Sequence, residues 1–125
     1  MREVLFRGKQ QQDWVYGDVL HDGYDYDVAI WNERTKAVEE VIPETVGQYT
    51  GLTDKNGKKI FEGDIVKSGT YKFTEELIFT VVFDEFCRYV IVSNYGIYLL
   101  ARNHEDVEVI GNIHDNPELL KEREG

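Results

Sequence analysis

Val46-Gly47-Gln48-Tyr49-Thr50-Gly51-Leu52-Thr53-Asp54-Lys55-Asn56-Gly57-Lys58-Lys59-Ile60-Phe61-Glu62-Gly63-Asp64-Ile65-Val66 is the stretch on which the fold reading turns. Leu52 and Ile60 bracket a polar run, and inside it Asn56-Gly57 supplies two residues that tolerate positive φ. That pair between apolar residues predicts a tight β-hairpin. Gly63-Asp64 follows and opens into β-branched residues, the pattern of a turn or bulge that launches a further strand. Gly17-Asp18 and Gly111-Asn112 repeat the theme of glycine, then Asp or Asn, then a β-branched residue, and carry the same expectation of a structural turn.

Outward from this stretch, period two dominates. Tyr24, Tyr26, Val28 and Ile30 fall on one face of a strand, with Asp25, Asp27 and Ala29 on the other. Leu77, Phe79, Val81 and Phe83 alternate likewise, and Ile78 and Val82 make the opposite face apolar, which predicts a strand covered on both sides. Further strands are expected at Glu3 to Arg7, Trp14 to Leu20, Lys36 to Ile42, Asp64 to Lys67 and Val107 to Ile113. Cys87 to Ser93 and Ile97 to Ala101 flank the turn Asn94-Tyr95-Gly96. Pro43 has no N–H to give and is expected to break the strand and open a short turn through Glu44 and Thr45. No segment holds an apolar 3.6 period over the length of an ordinary helix. The one helix expected is C-terminal, with Asn116 as cap, Pro117 at its first position, and Leu119 and Leu120 docking it.

The fold class that follows is mainly β: a small antiparallel barrel or sheet with one short C-terminal helix, the C-terminal half being compatible with an SH3-like barrel. It reads as one β-rich domain over residues 1–125, divisible into an N-terminal β part (1–47) and a C-terminal barrel part (48–116). At 125 residues, 42% hydrophobic and 30% charged, the chain has globular composition. The apolar run at Met1 to Arg7 is too short for a signal peptide, and no stretch reaches the ~20 apolar residues of a membrane span. The expectation is a soluble cytoplasmic protein. Cys87, the sole cysteine, lies among apolar residues and reads as a buried thiol.

Chemistry-bearing patterns are few. His21, His104, His114 and Cys87 are scattered without the paired spacing of a zinc site, and Asn103-His104-Glu105-Asp106 reads as a polar turn; no metal is expected. There is no G-x-S-x-G elbow, and the only serines are Ser68 and Ser93. Asp84-Glu85 and Glu75-Glu76 are adjacent, so on a strand they point to opposite faces. Gly51 to Gly57 lacks the Gly-Lys-Ser/Thr ending of a phosphate loop. No catalytic residue and no cofactor is expected, and the reading is that of a non-enzyme.

Net charge is 14 − 24 = −10, a field that repels phosphate backbones. Lys55, Lys58, Lys59, Lys67 and Lys72 do cluster near Tyr49, Phe61, Tyr71 and Phe73, the residue mix of a single-strand groove. Asp54, Glu62, Asp64, Glu75 and Glu76 cancel that patch, which makes nucleic acid a secondary reading. The candidate binding surface is Gln48, Tyr49, Thr50, Gly51 and Asp54: an amide, a phenol and a hydroxyl beside a glycine that lets a partner's backbone approach. The competing reading has Tyr49 packed inward and its neighbours serving the turn.

Three motifs together carry a family resemblance. They are the opening Met1-Arg2-Glu3, Phe6-Arg7 and Trp14-Val15-Tyr16-Gly17-Asp18, the central stretch Val46 to Val66, and the close from Val107 to Leu120. On these the chain resembles the YopX family, small proteins encoded by bacteriophages and prophages. The resemblance implies a β-rich fold, a bacterial host cytoplasm, and no assigned activity, cofactor or catalytic residue. The expected role is a non-enzymatic module that binds an unknown host or phage protein. Self-association into a homo-oligomer is a second form of it, since strand edges must be covered or paired. The alternative is a nucleic-acid accessory protein built on a small barrel.

Overall fold

The structure is a computed structural model that describes residues 3–21, 28–68, 77–94 and 96–121. Tyr24 to Asp27, Tyr71 to Glu76 and Tyr95, which figure in the expectations above, lie outside these residues. The chain is mostly β, in two antiparallel sheets with short helical turns, as its residue pattern predicts. It divides into two compact units, residues 1–49 and 50–125.

In the first unit β1 (Phe6–Lys9), β2 (Trp14–His21), β3 (Val28–Asn32) and β4 (Ala37–Thr53) pair antiparallel in sequence order, and β1 pairs with β4 as well. The strands therefore form a closed ring. Val15, Ile30 and Val41 are buried at its centre, with Val19, Val28 and Val46 packed against them. Gly8 faces this core because a Cβ there would lie 2.7 Å from Val41 Cγ2.

β1 starts later than expected, at Phe6 instead of Glu3. Pro43 does not end its strand. β4 runs on to Thr53, and the strain is absorbed between the pairs Lys9↔Ile42 and Arg7↔Gly47, where Gly8 alone faces residues 43–46. Inside this bulge the Thr45 hydroxyl donates to the Ile42 carbonyl (2.6 Å) and accepts the Lys9 N–H (2.8 Å), so the turn expected at Glu44 and Thr45 exists as a bulge within a longer strand.

The second unit begins with the last residues of β4, which pair with β5 (Lys59–Phe61). A five-stranded antiparallel sheet follows in the order β10-β6-β7-β8-β9: β6 (Asp64–Ser68), β7 (Leu77–Phe83), β8 (Tyr89–Ser93), β9 (Gly96–Leu99) and β10 (Val107–Asn112). Ile60 of β5 joins Val66, Phe79, Val81, Ile91, Leu100 and Val107 in one buried core. The Tyr98 ring meets Phe79 edge to face at 5.8 Å.

Three expectations need correction here. β7 buries Leu77, Phe79 and Val81, but on its other face Ile78 and Thr80 are half-buried and Val82 is exposed, so its covering is one-sided toward the C-terminal end. β9 stops at Leu99 because Leu100 turns inward to plug the core. The short helix α1 (Leu100–Asn103) begins there, with Asn103 donating back to the Leu99 carbonyl at 2.7 Å. A 3₁₀ turn (His104–Asp106) then leads to β10. The C-terminal helix α2 (Glu118–Lys121) forms, yet Asn116 does not cap it. Its Oδ1 accepts the Asn112 N–H instead (3.2 Å).

Candidate functional site

The five residues Gln48, Tyr49, Thr50, Gly51 and Asp54 divide between the units, and most serve backbone. Gln48 pairs with Phe6 in the first unit's ring and is half-buried. Tyr49 is buried and its N–H donates to the Leu5 carbonyl at 2.8 Å. In the second unit the buried Thr50 hydroxyl donates to the Ile60 carbonyl (2.8 Å) and accepts the Leu52 N–H (3.2 Å). Gly51 is exposed at φ 85°.

Asp54 is the most occupied of the five. One carboxylate oxygen accepts the N–H groups of Asn56 (2.8 Å) and Lys58 (2.9 Å), and the other accepts the N–H of Val109 (2.9 Å). Burial pushes its pKa up. The N–H donors of Val109, Lys58 and Asn56, with the charge of Lys58, outweigh that and hold it below the ordinary 3.8. Lys55 N–H donates to the Val107 carbonyl at 3.0 Å. The hairpin loop thereby satisfies the outward backbone groups of β10, which is otherwise a sheet edge.

The same loop is built twice. Asp84 repeats Asp54: its Oδ1 accepts the N–H of Phe86 (3.0 Å) and Arg88 (2.9 Å), and its own N–H donates to the Arg88 carbonyl as Asp54 N–H does to that of Lys58 (both 2.8 Å). Where the first loop has Gly57 at φ 82°, the second has Cys87 at φ 60°. Cys87 is exposed, not buried, because this left-handed turn points it away from the strands on either side. Replacing Cys87 by glycine should raise stability by about 1 kcal/mol, the strain of a non-glycine residue in that region. Chemical denaturation would check this, and an unchanged midpoint would count against it.

The other expected turn residues are placed as follows. Gly57 closes the first hairpin, and Gly63 (φ 90°) sets up Asp64, whose Oδ2 accepts the Phe61 N–H at 2.7 Å. Gly111 sits at a register shift in β10, where a Cβ would meet Asn116 Oδ1 at 2.5 Å. Asn112 Oδ1 then accepts the N–H groups of His114 and Asp115. Gly17 and Asp18 are not in a turn. They lie inside β2, where Gly17 pairs with Phe6 on one side and Asn32 on the other.

The lysine cluster does not assemble into a groove among the described residues. Lys55 and Lys67 both point to Glu108, at 4.0 and 3.7 Å, and Phe61 and Tyr49 are buried, so neither ring is open to a base. His104 Nδ1 lies 2.7 Å from the Thr53 carbonyl oxygen.

The concave feature that sequence reading missed is in the first unit. Cross-strand pairs share a face, so Arg7↔Tyr16 and Lys9↔Trp14 put two cations and two aromatics together on the face of β1 and β2 turned away from the Val15 core, with Arg7 itself buried there. The Arg7 guanidinium lies over the Trp14 ring at 4.6 Å from its centroid, and Lys9 Nζ at 5.9 Å. Beside them opens a groove of about 300 Å³ lined by Leu5, Trp14, Tyr16, Asn32, Glu33 and Arg34, with Tyr16 43% exposed. Its rim is fixed by Asn32. The Asn32 Oδ1 accepts the N–H groups of Arg34 (2.9 Å) and Thr35 (3.3 Å), the Asn32 carbonyl accepts that of Lys36 (2.7 Å), and its Nδ2 donates to Glu39 (2.7 Å). Lys36 pairs with Glu33 at 3.1 Å on the exposed surface beside it. Alternation in Trp14-Val15-Tyr16 signals that the two rings share a face; only the register to β1 and the Asn32 turn shows what flanks them.

Among the described residues no helix is long and apolar enough to cross a membrane. No curated protein matches the chain. A crystal structure of protein EF1440 from Enterococcus faecalis is similar over 96% of this chain and 99% of its own, with a TM-score of 0.69 and 24% identity, a likeness of fold. The sequence model for "YopX protein" matches residues 5–121, and on that nearly full-length match this chain belongs to the YopX family.

Proposed function

We propose that this protein is a non-enzymatic protein-binding module of phage or prophage origin, working in the bacterial host cytoplasm, and that it holds its partner in the groove of the first unit. The observation that carries the reading is the solvent-open Tyr16 beside Trp14 and Leu5 in a concavity of about 300 Å³. Tyr and Trp in a concave setting are the residues that most often anchor interfaces, since a ring offers large area at little rotamer entropy. The ring of β1 to β4 is closed, so strand addition at an edge does not explain partner binding by this unit.

The test compares proteins captured from phage-carrying cells by the native chain and by Tyr16→Ala, with melting curves and light scattering on both. The expected result is a partner retained by the native chain and lost by the variant at an unchanged melting temperature. A partner captured equally by both would end the groove reading. A Tyr16-dependent dimer in light scattering would identify the partner as a second copy. Sub-micromolar binding to single-stranded DNA at physiological salt would favour the nucleic-acid alternative.

A further inference from the structure

We infer that the chain self-associates through its second unit, the Asp84-to-Arg88 loop of one copy capping the β9 edge of a second copy. The precedent lies within the chain. Its five-stranded sheet ends in β10 on one side and β9 on the other. The β10 edge is capped by the first loop, where the Asp54 carboxylate accepts the Val109 N–H and the Lys55 N–H donates to the Val107 carbonyl. The second loop has the same internal bonds, down to Cys87 N–H on the Asp84 carbonyl (3.2 Å) where Gly57 N–H meets that of Asp54 (3.0 Å). Its Glu85 N–H, the counterpart of that of Lys55, bonds no edge among the described residues.

β9 presents the groups that such a loop takes. The bond from Asp84 N–H to the Arg88 carbonyl sets the alternation along β8, so Val90 and Val92 bond toward β7 and Ile91 toward β9. Tyr98, opposite Ile91, therefore bonds inward, and Ile97 and Leu99 turn their backbone groups outward. The Ile97 carbonyl and the Leu99 N–H then stand two residues apart, as the Val107 carbonyl and the Val109 N–H do on β10. Asn103 takes the Leu99 carbonyl and leaves that N–H alone. The side chains match as well. Phe86 on the loop and Ile97 on the edge, 68% and 66% exposed, are the most exposed large hydrophobics among the described residues. Arg88 matches Asp84 and leaves Glu85 as the loop's acid, while α1, directly after β9, carries Arg102 and no acid. In the free chain Arg88 also fills Asp84 Oδ2; that exposed pair is worth little and gives way to the Leu99 N–H on docking. Every copy carries one such loop and one such edge. The contact joins two different surfaces, so it repeats into a ring or an open chain.

The experiment is sedimentation velocity at high micromolar concentration and physiological salt, on the full chain and on Glu85→Pro and Ile97→Lys. Proline suits the first central position of this turn and removes the Glu85 donor, and lysine on an exposed edge blocks its use. The native chain should form oligomers. Each variant should weaken association about tenfold or more, with the melting temperature in dilute solution unchanged. An equal mixture of the two variants should restore a one-to-one complex and nothing larger, because one intact loop then meets one intact edge. A monomeric native chain overturns the inference. Association that survives Glu85→Pro but not Ile97→Lys is strand-to-strand pairing and overturns it too, as does association that survives Ile97→Lys. A mixture that stays monomeric excludes the loop-to-edge contact. None of these outcomes touches the groove reading, which stands or falls on Tyr16.

Discussion

Replacing Asp54 by alanine is expected to lower stability by about 2 kcal/mol, because it removes the acceptor of the part-buried Val109 N–H and of two more N–H groups in the loop. Asp84, which makes the equivalent loop contacts and a bidentate pair with Arg88 (3.0 and 2.8 Å) on an exposed surface, should matter much less when replaced. Denaturant titration of the two alanine variants measures the difference directly. Comparable losses from both would show that the Val109 contact adds little.

Acid extends the Asp54 argument. Its folded pKa is lowered relative to the unfolded chain, so its contribution is fully present above the ordinary value near 3.8 and is lost as pH falls through the folded one. Asp54→Asn should therefore flatten the loss of stability with pH below about 4. An acid-unfolding curve parallel to that of the native chain would exclude this carboxylate as a source of the acid sensitivity.

Replacing Gly17 by alanine is expected to cost about 3 kcal/mol, at the upper end for overpacking and strain. A Cβ at Gly17 would stand 1.7 Å from the carbonyl oxygen of Trp31, a backbone atom that cannot swing aside, and φ there is 156°. Pairing on both sides, to Phe6 and to Asn32, leaves β2 no direction in which to retreat. Near-ultraviolet dichroism on urea titration would follow Trp14 and Trp31 as reporters of this unit. A variant within about 1 kcal/mol of the native chain would show that the ring can widen there.

The β class and most strand positions were legible because period two and Asn56-Gly57 are local signals. Three things were not. Pro43 reads locally as a stop, but Thr45 and Lys9 supply hydrogen bonds that let β4 continue. Cys87 has apolar neighbours, which suggests burial, yet its left-handed turn carries it outward. Of the candidate surface, Asp54 was noticed for its place near a turn, whereas its contact with Val109 lies 55 residues along the chain and leaves no local trace. The groove was invisible for the same reason, since Leu5, Tyr16 and Arg34 come together only through strand pairing and the Asn32 turn.

The closed ring also dictates an order of events as the chain is made. β1 can pair with β2 at once, but its other partners are Ile42 and Gly47-Gln48, toward the far end of the unit. Until those residues are available, β1 is a hairpin arm with one side open to water. Closure entropy rises only slowly with loop length, so the delay comes from waiting for sequence more than from searching. Seam formation between β1 and β4 is then the last step for this unit. A chain cut short before Gln48 would display both seam edges, a template for misassociation that the finished ring no longer offers.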